Sequence, residues 1–275
     1  YRTDWASVNV RTKTPAVLGY SDDTISKWSY KTDDIWFLGY WWYDWAAEFS
    51  KGTIDAANKQ ITLQTDLHYG VNGNGRPMRA YNVYEEIDEP GEWYLDRNAG
   101  KLYFYPPAEV KADSVLTMTD KTFDLVSMDQ VSNVTFRGIS FTGGRGLAVN
   151  MKGGENNQLS NCDIHLFEQS AVSITGDESK NNGLDSCAIY NCGAGAITLR
   201  GGLKESVTPA GNYVKNSVMH DVSMMREVYA PGVDVDGVGN VISHNEFYNS
   251  PHQMILFHGV ETVMEYNKFH NVCKN

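Results

Sequence analysis

Short apolar stretches separated by Gly and Asn recur through the second half of the chain, and aligned on one another they give six units. The units open SNVTFRGIS at Ser132, NQLSNCDIH at Asn157, NGLDSCAIY at Asn182, NYVKNSVMH at Asn212, NVISHNEFY at Asn240 and TVMEYNKFH at Thr262, in steps of 25, 25, 30, 28 and 22 residues. Their third position (Val134, Leu159, Leu184, Val214, Ile242, Met264) and eighth position (Ile139, Ile164, Ile189, Met219, Phe247, Phe269) are apolar throughout and are expected to face a core. The sixth position of the last five is Cys162, Cys187, Ser217, Asn245 and Asn267, small or amide side chains able to stack inside a bend. A second short stretch follows in the first five units: LAVNMKGG from Leu147, SAVSITGD from Ser170, GAITLRGG from Gly195, PGVDVDGV from Pro231 and HQMILFHG from His252. Strands this short at this period predict the stacked coils of a parallel β-helix.

The second stretch decides where chemistry can sit. Its inward columns are Val149, Val172, Ile197, Val233, Met254 and Met151, Ile174, Leu199, Val235, Leu256. Period-two alternation turns the intervening columns outward: Asn150, Ser173, Thr198, Asp234, Ile255, and Lys152, Thr175, Arg200, Asp236, Phe257. Asp234 and Asp236 then face the same way, with Arg200 and Phe257 flanking Asp236. Residues two apart on a strand are separated by roughly 6 to 7 Å. Glycosidic hydrolysis uses two carboxyl groups about 5 to 9.5 Å apart. Like charges this close are expected to raise one pKa while Arg200 keeps its neighbour ionised. The competing reading, a solvated Asp before Gly on an outer face, has equal weight on spacing alone.

The two longest steps place extra residues in LKESVTPAGNYV and DVSMMREVYAPG, beside the Asp234 strand. Loops that lengthen beside one face of a repeat scaffold build clefts. They put Arg226, Glu227 and Tyr229 near the aspartates, and the next coil adds His252 and His258 as candidate sugar contacts. His165, Tyr190, His220, Tyr248 and His270 share the ninth position and read as a stacked outer column. No His and carboxylate residues fall at metal-ligand spacing, so neither metal nor cofactor is expected.

The first half lacks the repeat and holds all 7 Trp. GYWWYDWAAEF reads as a bulky aromatic strand, TIDAANKQITLQ as a hairpin turning at Ala56 to Lys59, and EWYLDRNAGKLYFYPP as a hairpin turning at Asn98 to Gly100. Pro106 and Pro107 end the pairing. Over 275 residues, 23 Lys and Arg against 34 Asp and Glu leave a net charge of −11, which argues against a nucleic-acid backbone or an anionic membrane as partner. No apolar stretch approaches membrane-span length, and the opening YRTDW reads as a mature or excised soluble segment. The four Cys lack framework spacing; Cys162 and Cys187 read as stacked free thiols, with a disulfide as the minority reading.

The run YAPGVDVDGVGNVISHNEFYNSPHQMILFHGVETVMEYNKFHNVC, with IWFLGYWWYDWA and NVYEEIDEPGEWYLDRNAGKLYFYPP, resembles glycoside hydrolase family 141 and its right-handed β-helix relatives. The resemblance implies an all-β chain in which a small all-β domain is inserted into, or precedes, a right-handed parallel β-helix. The domains expected are 1–32 as the start of the β-helix or lead-in strands, 33–108 as the insertion, and 109–275 as the β-helix. It implies a secreted, extracellular or periplasmic hydrolase of xylan or fucosylated glycans, expected as a monomer. A catalytic carboxylate is implied on GVDVDGVGN, with Asp236 the better match than Asp234; the columns and lengthened loops add Arg200, Glu227, Tyr229, His252 and His258 as expected substrate contacts. In that family the chain continues past a segment like FHNVC to the second carboxylate, so this chain is expected to be cut at both ends and to carry half an active site. Two alternatives stand beside it. A polysaccharide lyase would take its base from Lys152, Arg200 or Arg226; a non-catalytic module would bind glycan through exposed Tyr and Trp.

Overall fold

The computed structural model describes residues 6–120 and 122–273. The chain divides into two units, Tyr1–Val115 and Leu116–Asn275.

In the first unit six strands close an antiparallel barrel in the order Ala6–Lys13, Ala16–Tyr20, Gln60–Leu63, Glu48–Asp55, Trp36–Gly39 and Arg76–Tyr81. Val8, Leu18, Phe37, Ile61 and Met78 are buried inside it. Trp93–Asp96 and Lys101–Phe104 pair as a separate hairpin. Both hairpins turn where expected: Asp55 pairs with Gln60, and Asp96 with Lys101. The division differs from the expected 1–32, 33–108 and 109–275. Ala6–Lys13 and Ala16–Tyr20 do not begin the β-helix; they are barrel strands, because Val8 and Leu18 complete that core. The aromatic run after Gly39 is also not a strand. It bends back between Trp36–Gly39 and Glu48–Asp55, with Trp41 buried and its indole N–H donating to the Glu48 carbonyl at 2.9 Å. Gly39 permits that return, since a Cβ there would strike the Trp41 ring.

The second unit is a parallel β-helix of three six-stranded sheets. One sheet starts at Thr135–Arg137, one at Ser140–Gly144 and one at Val126–Asp129, and each successive coil adds a strand to all three. One core runs through the stack, with Leu159, Leu184, Val214 and Ile242 in one buried column and Ile164, Ile189, Met219 and Phe247 in another. The expected register of the first repeat, opening at Ser132, is off by two residues: Phe136 pairs with Leu159 and Phe141 with Ile164, while Ile139 is exposed. The last coil is corrected by one: Ile255 pairs with Val233, Leu256 with Asp234 and Phe257 with Val235. Met254 still reaches the core.

The bends explain the Asn content. Many turn on a single left-handed residue, such as Asn133, Asn156, Asn181 and Asn216, a conformation that Asn tolerates better than most L residues. Inside one bend a buried ladder runs along the axis. The Asn157 N–H donates to Asn182 Oδ1 at 2.8 Å, and the Asn182 N–H to Asn212 Oδ1 at 2.9 Å. Inside another, the Cys187 N–H donates to Ser217 Oγ at 3.1 Å, the Ser217 N–H to Asn245 Oδ1 at 2.9 Å, and the Asn245 N–H to Asn267 Oδ1 at 3.0 Å. All four cysteines are free.

Asn182 also donates to the Gly154 carbonyl and Ser179 Oγ, both at 2.9 Å. Asn182→Leu keeps the volume but strands those partners and the Asn157 N–H in the interior. We expect a loss of about 2–4 kcal/mol in urea unfolding. Lys268→Ala, which removes an exposed pair with Glu246, should stay within about 0.5 kcal/mol. Equal effects of the two would remove the ladder as a source of stability.

Candidate functional site

Three strands of one sheet, Val172–Thr175, Ile197–Gly201 and Val233–Gly237, run side by side and end together. Asp234 pairs with Thr198 and Asp236 with Arg200 across adjacent coils. Val233 and Val235 are buried, so alternation sends both aspartates outward. At the C-terminal ends of these strands lies an open cleft of about 410 Å³, lined by Thr175 to Asp177, Arg200 to Glu205, Asp236 and Gly237. Glycine makes its floor: a Cβ on Gly237 would collide with the Gly201 carbonyl oxygen, and Gly237 lies at φ +95°.

The insertion after Arg200 forms one wall. Leu203 and Thr208 bond each other through both backbone pairs at 3.0 Å, closing a hairpin whose turn carries Lys204 and Glu205. The Lys204 ammonium forms an ion pair with the Asp236 carboxylate and donates to the His258 carbonyl at 3.2 Å. The Gly237 N–H also donates to Asp236 Oδ1 at 2.7 Å. Partial burial works to raise the Asp236 pKa, but the Lys204 pairing, the Gly237 N–H and the more distant Arg200 charge outweigh it and hold the carboxyl below its ordinary value. Arg200 makes its direct bond to Asp234 instead, at 2.7 Å. The expectation that Arg200 sets the charge of Asp236 is therefore corrected: Lys204 is the direct partner, and Arg200 acts on Asp236 from a distance. Phe257 does not flank Asp236 either, since it pairs with Val235 on the neighbouring coil.

Of the expected site residues, Asp236 and Arg200 line the cleft. Asp234 is beside it, held by Arg200, and is absent from the lining. His258 contributes a backbone carbonyl. Glu227 and Tyr229 lie on the loop that enters at the opposite, N-terminal ends of the strands, where the Tyr229 and His252 rings lie 5.4 Å apart. Burial holds the His252 imidazole below its ordinary pKa, so it is neutral at pH 7. The loop of Arg226 is fastened there by the Ser223 hydroxyl on the Ala230 carbonyl and by the Met225 and Arg226 N–H groups on the Gly193 carbonyl at 2.8 Å.

Asp177, Lys204 and Glu205 were not anticipated. Strand polarity would have found them: the insertion after Arg200 leaves a strand at the end where Asp236 lies, whereas the insertion at 221–232 enters at the other end. The ninth-position rings stack on a different sheet, with neighbouring centroids 4.6 to 5.0 Å apart from His165 to His270. Among the described residues no cluster of His, Cys, Asp and Glu could hold a metal ion. Burial pushes the Cys187 thiol up to about 11 and Cys192 up to about 12, which removes both as nucleophiles. The barrel unit has a smaller polar cavity, about 70 Å³, where Lys31 pairs with Asp96, and Lys51 and Arg97 with Asp34.

A family model described as the right-handed β-helix region matches residues 116–224. A solved structure titled "Glycoside hydrolase" is similar to the chain at 10% identity and a TM-score of 0.47, over 96% of this chain and 74% of that one. No curated protein matches.

Because folded Asp236 titrates below the unfolded carboxylate, the stability it contributes is complete above about pH 4 and fades as pH falls through the lowered value. Lys204→Met removes its main stabilising charge. The Asp236 carboxyl, followed by carbon NMR, should then titrate at higher pH, and the acid side of the stability curve should flatten. An unchanged titration would assign the depression to the Gly237 N–H and Arg200.

Proposed function

We propose that the right-handed β-helix unit is a glycoside hydrolase that works in the Asp236 cleft on a neutral glycan, with Asp236 as the ionised carboxylate. The observation carrying this reading is the Asp236 carboxylate, ion-paired with Lys204, on the wall of an open, glycine-floored groove. Such a lining sets hydrogen-bond donors and acceptors beside apolar surface, which suits a polyhydroxylated chain whose ring faces are themselves apolar. It holds no Ser, Cys or His side chain to act as a nucleophile–base pair, so acyl transfer by that route lacks its parts. Glycosidic cleavage needs only carboxyl groups.

The charge of the lining bears on the substrate. Asp177, Glu205 and Asp236 against Arg200 and Lys204 leave 2 − 3 = −1, and Asp234 nearby adds to the negative side. A phosphorylated chain or a polyuronate would meet repulsion, whereas a neutral glycan would not. Lys204 favours a second reading, a lyase with a lysine base. Against it, Lys204 is engaged as the cation of Asp236, and a uronate would have to displace that carboxylate. Polymeric glycan as substrate also places the protein outside the cytoplasm in this reading.

The test is a panel of neutral and uronate-containing oligosaccharides, with reducing ends and unsaturated products followed together. The reading expects reducing ends from a neutral member, no unsaturated product, and a fall of about 10²- to 10⁴-fold in Asp236→Asn. Unsaturated product lost in Lys204→Met would establish the lyase. Binding without turnover would make the unit a glycan-binding module.

A further inference from the structure

We infer that Asp177 is the second carboxyl of the cleft, the proton donor facing Asp236, and that the pair cleaves with inversion; this rests on the hydrolase reading above. The cleft sets its acids on different coils. Its three strands belong to three successive coils, and Asp177 lies two residues past the end of the first while Asp236 stands one residue before the end of the third. Neighbouring coils stack about 4.8 Å apart, so the two acids are separated by two steps, about 9.5 Å along the axis. With the further offset of Asp177 along the strand, this lies well beyond the about 5 to 5.5 Å of retaining pairs and on the inverting side, with room for water between the base and the sugar. Asp234 makes a poorer partner. It stands on the strand of Asp236, on the same side of any bound sugar, and its carboxylate already accepts from Arg200 at 2.7 Å.

Asp177 is free to reach a bound sugar and stands on a firm footing. Among the described residues no hydrogen bond or ion pair holds its carboxyl, and the residue is exposed in the cleft lining. Its backbone is fixed nonetheless. The Ser179 N–H closes the turn on the Gly176 carbonyl at 2.9 Å, and the Gly202 N–H donates to the Asp177 carbonyl at 3.2 Å. Ser179 is buried and accepts at Oγ from Asn182 at 2.9 Å and Asn212 at 3.1 Å, which ties the turn into the amide ladder. Glu205 also lines the cleft, but it hangs from the hairpin turn rather than from a coil.

In the reaction, water between Asp236 and the anomeric carbon loses a proton to Asp236 as its oxygen bonds to that carbon. The glycosidic carbon–oxygen bond breaks on the opposite face, and Asp177 gives its proton to the departing oxygen. One water is consumed, two sugars leave, and the carboxyls have exchanged a proton that solvent returns.

The experiment uses the intact chain with xylo-, manno- and gluco-oligosaccharides and the matching 2,4-dinitrophenyl glycosides. A departing dinitrophenolate needs no proton, so Asp177→Asn should lose about 10²- to 10⁴-fold on the oligosaccharide yet stay within about tenfold of the parent on the aryl glycoside. It should also lose the alkaline limb of the pH–rate profile. Asp236→Asn should fail on both substrates, and proton NMR of the first product should show the inverted anomer. If the parent and Asp236→Asn behave as the hydrolase reading expects but Asp177→Asn equals the parent, the inference falls and that reading stands. The same outcome follows if Glu205→Gln gives the leaving-group split, or if the anomer is retained. A parent that cleaves no member of the panel overturns both.

Discussion

Each coil must bend its backbone where the inner N–H and C=O groups are cut off from water, and side-chain amides satisfy that demand. An unmade hydrogen bond in such a place costs roughly 1–3 kcal/mol, so the bends hold groups that can both donate and accept. The ladder does more than stabilise. Asn212 donates to the Arg200 carbonyl at 3.2 Å and Asn240 to the Asp236 carbonyl at 2.8 Å. The backbone beneath the two residues that line the cleft from adjacent strands is thus pinned by the same chemistry that closes the coils, and the site inherits its rigidity from the bends.

On that fixed strand two aspartates lie close together, and each has its own cation from a different source. Arg200 comes from the neighbouring strand and takes Asp234; Lys204 comes from the hairpin and takes Asp236. The first partner is set by coil register, the second by the turn of the 203–208 hairpin. Asp236 is therefore the carboxylate whose counter-ion is rooted outside the sheet, and it is the one facing the cleft. A uniform pair of strand-borne cations would neutralise both aspartates equally and leave neither available.

The fold is legible in the sequence because burial imposes periodicity. Leu159 to Ile242 and Ile164 to Phe247 stand out as columns in the residue pattern alone, as does the outward turn of Asp234 and Asp236. Register fails at both ends of the stack, where the pattern is weakest: Phe136 and Val134 are both apolar two residues apart, and MILF offers four apolar residues in a row. The aromatic run after Gly39 misleads for a related reason, since bulky rings mark a strand and a folded-back turn equally well. The buried Asn column stands at the first position of four aligned units, but an amide in a repeat marks a solvated turn as readily as a core position. Asp236 and Arg200 follow from alternation; Lys204 and Asp177 do not, because they lie past the strand ends, where side-chain period says nothing.

Chain polarity supplies what periodicity leaves out. In a parallel stack all strands of a sheet end on one side, so an insertion after any strand projects over the same rim. The hairpin at 203–208 can extend there without cost to the coil because both its roots are tied: the Gly202 N–H to the Asp177 carbonyl at 3.2 Å, and the Ala210 N–H to the Val238 carbonyl at 2.9 Å. Val207 at φ +51° shows that strain is carried at the tip and kept from the strands. A loop rooted this way is free to change its charged residues while Arg200 and Asp236 keep their register. The insertion at 221–232 obeys the same rule at the other rim, and for that reason Tyr229 meets His252 about the length of a strand away from the Asp236 cleft.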